Sequence, residues 1–338
     1  MKLALGTLLL GVLLSPLAAP AAHADSCPPP APQPSPTALQ TLARQAPDRG
    51  FLWRISKGGH SSWLYGTVHA GSPELSLPGP QVRAALAASR VLALELDLAD
   101  PAVMRALMQA LAPGDARVPP EAEARVQQAL ARECLPPTLT ERLHPMMLPA
   151  TLEVANAQRV GLYTEYGVDM VLAGVAMALH LRRSSLETVA EQTNALIGPD
   201  RRVDAAELMQ ALDEAERPDA PALLQRMVTA WAQGDAATLS TYLQWCDCLR
   251  TPEDRAHWQR LLADRNPVLA ERIDRLHAQG QPVFAAVGSL HLFEPAALPA
   301  LMAARGYTVE RIPFSAPPAG PRADEAGAAL ESPAADSN

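Results

Sequence analysis

Two apolar runs in this chain end the same way. "LYGTVH" (Leu64 to His69) and "FAAVGSLH" (Phe284 to His291) each carry a hydrophobic stretch into a glycine, with a histidine three residues on. Short apolar runs bounded by turn residues read as buried strands. Glycine at a strand end allows a sharp turn and the close approach of a ligand. The histidine then falls in the first loop residues, where α/β folds place binding groups. The two copies stand 222 residues apart with no short internal repeat between them. They read as two halves of one site. A fold that joins them must bring both ends of the chain into one sheet and leave the middle outside it.

The remaining pattern agrees. "FLWRISKGGHSSWLYGTVH" has two β-prone runs around a Lys57-Gly58-Gly59-His60 turn, a hairpin signature. A helix is expected over Pro80–Ser89. "RVLALELDL" then alternates, with Leu92, Leu94, Leu96 and Leu98 on one face and Ala93, Glu95 and Asp97 on the other. Helical patterns fill Pro101–Leu111, Pro120–Glu133 and Leu148 to about Leu181, and "SSLET" is a short strand candidate leading into a helix from Val189. Amphipathic helices follow over 203–279, broken at Pro218, Gly234 and Pro252. "PVFAAVGSLHL" is a strand, 294–305 a helix, and "YTVERIPF" a closing strand. Strands at both ends with helices between give an α/β or α+β class, with the helices of about 100–280 as an insertion or cap.

The first residues read as an export signal, 1–24: Lys2, an apolar Leu3–Leu17 and an Ala22-His23-Ala24 cleavage pattern. Residues 25–38 are a proline-rich linker, 39–314 the folded domain and 315–338 have the composition of a disordered tail. Met170–Leu181, the most apolar later run, is far short of the roughly 20 residues a membrane helix needs. A periplasmic or secreted location follows. The formal net charge is −8, with no basic patch, which argues against a nucleic-acid partner. Oligomeric state is left open.

Export permits disulfides among Cys27, Cys134, Cys246 and Cys248. Cys246 and Cys248 lie so close that each is expected to pair with a distant partner. A zinc site is disfavoured, since C-x-C is shorter than the usual ligand spacing.

Two strand-end histidines could supply two nitrogen ligands to a metal, and a carboxylate would complete a site with an open position for water. Glu95 is the candidate, because its strand buries the leucine face. If the opposite face is covered too, an acid there needs a cation, a proton or several donors. Solvent exposure on a one-sided sheet would give the same alternation.

"YGTVHAG", "LALELDL", "GVDMVL", "SLETVAEQ", "DRNPVLAERI" and "VFAAVGSLHLFEP", in this order, resemble the TraB/GumN family, which is related to the Tiki-type metalloproteases. The resemblance spans roughly residues 50–314. It implies an erythromycin-esterase/ChaN-like mixed sheet with a large helical insertion. For the Tiki branch it also implies divalent-metal-dependent peptide hydrolysis, with manganese or cobalt favoured and zinc admitted. Carried over, His69 and His291 match the motif histidines and Glu95 the strand acid that would join them as a metal ligand. Asp169, Glu187, Gln192, Arg265 and Asn266 match the other polar positions. Ser289 stands where alanine is common, and Phe293-Glu294 replaces Pro-Gly. The implied roles are acid–base chemistry at Glu95 or Glu187, oxyanion stabilisation by Arg265, substrate orientation by Asn266, and substrate contacts from Asp169, Gln192 and Ser289. The residues alone also allow bland roles: Asp169 or Asn266 as helix caps, Gln192 on a surface. Other readings are a non-catalytic peptide- or haem-binding protein on this fold, or a metal-independent esterase. The expected partner is a peptide or small molecule.

Overall fold

The computed structural model describes residues 27–293 and 296–314. The expected signal peptide, the C-terminal tail and Glu294 lie outside the described residues.

The hairpin forms as its sequence dictates. β1 (Phe51–Lys57) and β2 (His60–Thr67) pair antiparallel around Gly58 and Gly59, both at positive φ. β3 is Val91–Leu94, β4 Arg182–Ser185, β5 Val283–Gly288 and β6 Thr308–Ile312. The sheet order is β4-β3-β5-β2-β1-β6. β2, β5, β3 and β4 run parallel, while β1 is antiparallel to both β2 and β6. This is a mixed α/β fold. β5, from the far end of the sequence, lies between β2 and β3, with Gly66 opposite Val287 and Thr67 opposite Gly288. The expectation that both ends of the chain share one sheet holds. Every residue of β3 and β5 is buried, as a parallel sheet covered on both faces requires.

The middle of the chain is helical. Pro101–Leu111, Pro120–Arg132, Ala205–Ala215 and Ala220–Gln233 are helices. Three expected elements differ. Leu148–Leu181 is not continuous: Leu148–Arg159 and Val168–Ala178 are separate helices. Gly161 at φ 74° ends the first, and Tyr163 then exchanges backbone hydrogen bonds with Gly71. β3 ends at Leu94, not Leu98, because Glu95 and Asp97 turn to separate partners. The last helix is Leu298–Ala304.

The N-terminal segment is tied down. Ser35 caps a helix over Pro36–Gln45, Tyr166 donates to the Pro32 carbonyl at 2.6 Å, and Cys27 is bonded to Cys134. The disulfide expectation is corrected for the other two cysteines. Cys246 and Cys248 bond to each other, because Asp247 at φ 52° turns the chain and brings their Cα atoms to 5.1 Å. Aspartate tolerates that left-handed backbone. Its carboxylate is held by Arg217 and Arg250. Among the described residues no helix is long and apolar enough to cross a membrane.

Candidate functional site

The parallel strands end together, and the candidate residues gather at their C-terminal ends. The two glycine turns touch. A Cβ on Gly66 would stand 2.8 Å from Ser289 Oγ and 3.2 Å from Ser289 Cα. Ser289 Oγ donates to the Thr67 carbonyl at 2.9 Å, stitching one motif to the other. Gly167 does similar service on the far side of the first loop, since a Cβ there would lie 2.7 Å from the His69 carbonyl oxygen. The helix that follows is thereby held against the loop, with Val168 N–H donating to the Val68 carbonyl at 2.9 Å.

Each histidine is anchored through Nδ1. His69 Nδ1 is 2.9 Å from Asp169 Oδ2, and Thr67 Oγ1 donates to Asp169 Oδ1 at 2.8 Å. Asp169 sits in the first turn of its helix, yet its carboxylate serves the site and not the helix end. His291 Nδ1 is 2.5 Å from Asn266 Oδ1. Asn266 is fixed in turn by donating to the Ala296 carbonyl at 3.1 Å. Both Nε2 atoms are buried and have no hydrogen-bond partner among the described residues.

A buried charge cluster lies beside them. Glu95 is 3% exposed, so of the two readings left open the covered face is the one found, and the cation beside it is Arg265. Arg265 Nη2 is 2.5 Å from Glu95 Oε2 and 2.5 Å from Glu187 Oε2, and Nε is 2.8 Å from Glu187 Oε1. Gly288 N–H donates to Glu95 Oε1 at 2.7 Å. Gln192 is buried, with Nε2 3.5 Å from Glu95 Oε2. Thr188 forms the capping box of its helix with Glu191, which frees Glu187 for Arg265. Asp97 turns away to Arg183 at 2.9 Å. His291 Nε2 approaches Glu95 Oε1 at 3.7 Å.

This arrangement splits the titratable groups. Burial disfavours a charged His69, but the Asp169 carboxylate on its ring, aided by Glu95, outweighs burial and raises its pKa. Burial takes His291 down to about 3, since Asn266 offers no charge and Glu95 compensates only in part. Burial would raise Glu95, yet Arg265, with the two imidazoles and the Gly288 N–H, holds it well below the carboxylate range. Burial pushes Glu187 up, with Arg265 opposing and Glu95 reinforcing.

Arg265 and Asn266 are adjacent but serve different partners. The five residues Gln259–Ala263 form a π-helix, and Arg265 Nη1 donates back to the Leu261 carbonyl at 2.8 Å. π-helical turns often mark functional sites. No sequence signal announces this one. Thr67 and the Gly288 N–H are further participants that sequence reasoning missed. Thr67 lies inside the first motif and was visible there as a hydroxyl beside the histidine.

All nine candidate residues are thus within one connected region, and each is buried. The profile of the TraB/PrgY/gumN family matches residues 51–311. The chain belongs to the TraB/PrgY/gumN family. No curated protein and no solved structure matches it. The family match spans both glycine–histidine turns and the segments carrying Glu95, Asp169, Glu187, Gln192, Arg265 and Asn266.

The donor set fits a divalent cation in its nitrogens. Metal-binding histidines usually give their other ring N–H to an oxygen acceptor. Asp169 and Asn266 supply that acceptor here, leaving two buried Nε2 atoms without a hydrogen-bond partner among the described residues. The lowered pKa of His291 leaves it a lone pair, whereas the raised pKa of His69 favours a proton that a cation would displace. The carboxylate fits less well. Both Glu95 oxygens are already engaged, and among the described residues no three His, Cys, Asp or Glu side chains are grouped to hold an ion.

Proposed function

We propose that this family member is an exported hydrolase of peptide bonds, working in the periplasm or as a secreted protein on an erythromycin-esterase/ChaN-like sheet. The observation that carries the reading is the pair of buried imidazoles, each with Nδ1 anchored and Nε2 bare. Buried polar atoms rarely go unpartnered unless a ligand or reaction uses them. His69 and His291 would hold a divalent cation, manganese or cobalt by family resemblance, zinc by ligand type. Glu95 would join them by giving up the Gly288 N–H on Oε1. Such a cation supplies Lewis acidity and a nucleophile at neutral pH.

The chain's own groups do the rest. Asp169 and Asn266 hold the two rings in their working tautomers. Glu187, held by Arg265 through both oxygens but with its pKa pushed up by burial, is the carboxylate we assign to moving a proton to a leaving amine. Arg265 keeps two carboxylates together, and with Nε, Nη1 and Nη2 all engaged it acts more by holding Glu95 and Glu187 than by meeting an oxyanion.

A second reading has a specific observation behind it. The Thr67–Asp169–His69 chain resembles the orientation of a general-base histidine, which would activate water for ester hydrolysis without a metal. One experiment separates the two. The purified chain is loaded with manganese, cobalt or zinc and given mixed peptide and ester substrates, with and without chelator. Peptide cleavage abolished by chelator and by His69→Ala or His291→Ala supports the first reading. Chelator-resistant ester cleavage supports the second, and cleavage indifferent to both histidines sinks both.

A further inference from the structure

The opposite pole of the sheet carries a different surface. The N-terminal ends of β3, β4 and β5 meet there: Arg90 N–H donates to the Pro282 carbonyl at 2.8 Å, and Arg182 N–H to the Arg90 carbonyl at 3.2 Å. The helix Val168–Ala178 ends at the same place, and His180 at φ 55° turns the chain into β4. Large hydrophobic side chains are buried almost everywhere in the described residues. Met177 at 55% and Leu179 at 42% are the exposed exceptions, and they stand two residues apart on this pole.

The three sequence segments that meet here are one-sided in charge. Segments 86–94, 174–186 and 276–284 contain no aspartate or glutamate, although the chain as a whole has 36 acidic against 28 basic residues. They contain Arg90, Arg182 and Arg183. Arg183 is paired with Asp97, whereas Arg90 and Arg182 are exposed and make no ion pair among the described residues. The Arg182 side chain makes a 3.4 Å contact to Gln281 and no other hydrogen bond among the described residues.

We infer that this pole docks on an anionic lipid surface, with Met177 and Leu179 entering the headgroup–acyl boundary and Arg90 and Arg182 meeting lipid phosphates. Exposed apolar side chains rimmed by basic ones match that surface in both hydrophobicity and charge. The charge complementarity is what selects a bilayer over a second copy, because a second copy would face arginine with arginine. Docking there turns the histidine site, at the other end of the parallel strands, toward the aqueous side. The inference does not depend on which reaction the site performs.

The test is co-sedimentation of the purified chain beginning at Asp25 with vesicles of phosphatidylcholine alone or mixed equally with phosphatidylglycerol. The mixed vesicles should bind it and the neutral ones should not. Met177→Ser/Leu179→Ser should abolish binding. Arg90→Ser and Arg182→Ser should each weaken it roughly fivefold, and added salt should weaken wild type likewise. Circular dichroism checks that these exposed substitutions leave the fold intact. Absence of binding to mixed vesicles, or equal binding by the variants, overturns the inference. So does a dimer in sedimentation that Met177→Ser/Leu179→Ser dissociates while vesicles bind nothing.

Discussion

His291 Nδ1 lies 2.5 Å from Asn266 Oδ1. An amide oxygen only accepts, so the ring proton is on Nδ1 and Nε2 presents a lone pair. Asn266→Ala removes that acceptor without touching the lone pair. It should lower cation affinity by about 10- to 100-fold, the usual effect of losing a ligand's outer partner. Asn266→Asp should keep most of it. Titration calorimetry with manganese on the two variants measures the difference.

Arg265 is the cation for two buried carboxylates, and its removal leaves both unpaired. Arg265→Met should destabilise the chain by about 3–5 kcal/mol at neutral pH. The loss should shrink in acid, because Glu95 and Glu187 can then take up protons. Adding Glu95→Gln and Glu187→Gln should restore much of the stability but not the activity. Urea unfolding of the single and triple variants at neutral and acid pH checks this.

The hairpin end carries a pH-sensitive contact far from the site. His277 Nε2 donates to the Lys57 carbonyl at 3.0 Å, so Nδ1, 2.8 Å from Ser62 Oγ, is the acceptor. Ser62 Oγ is itself bonded by Val283 N–H at 2.9 Å. Burial lowers the His277 pKa from 6.5, His60 and Lys57 reinforcing it and the Lys57 carbonyl and Asp274 opposing. The unfolded chain therefore binds a proton that the folded one refuses between the lowered pKa and 6.5. Stability from this group rises with pH across that window and falls as acid is added. His277→Gln should flatten this part of the stability–pH curve, read by thermal unfolding at several pH values.

The two disulfides differ in what they constrain. Cys27 and Cys134 are 107 residues apart, Cys246 and Cys248 only 2. By loop-closure entropy the first is worth about 5 kcal/mol and the second about 1.6 kcal/mol. Cys27→Ser/Cys134→Ser should therefore cost clearly more in chemical unfolding than Cys246→Ser/Cys248→Ser. Equal costs would contradict this account.

The sheet was legible where the sequence was repetitive. Alternating and apolar runs gave the hairpin, β5 and the clustering of the glycine–histidine turns, since burial alone dictates those patterns. The polar partners were not. Nothing local distinguishes Asp169 from a helix cap or Gln192 from a surface residue; the family resemblance singled them out, and contacts about 100 residues away in sequence give them their roles. The π-helix before Arg265 and the left-handed turn at Asp247 depend on tertiary packing, so spacing rules misjudged the Cys246–Cys248 pair.

The central claim is that the two bare Nε2 atoms form one cation site. Elemental analysis of wild type beside His69→Ala/His291→Ala, after loading with manganese, cobalt or zinc, tests it most directly. The account predicts one stoichiometric cation in wild type and none in the folded double variant. Wild type without metal, or a double variant that keeps it, would contradict the claim.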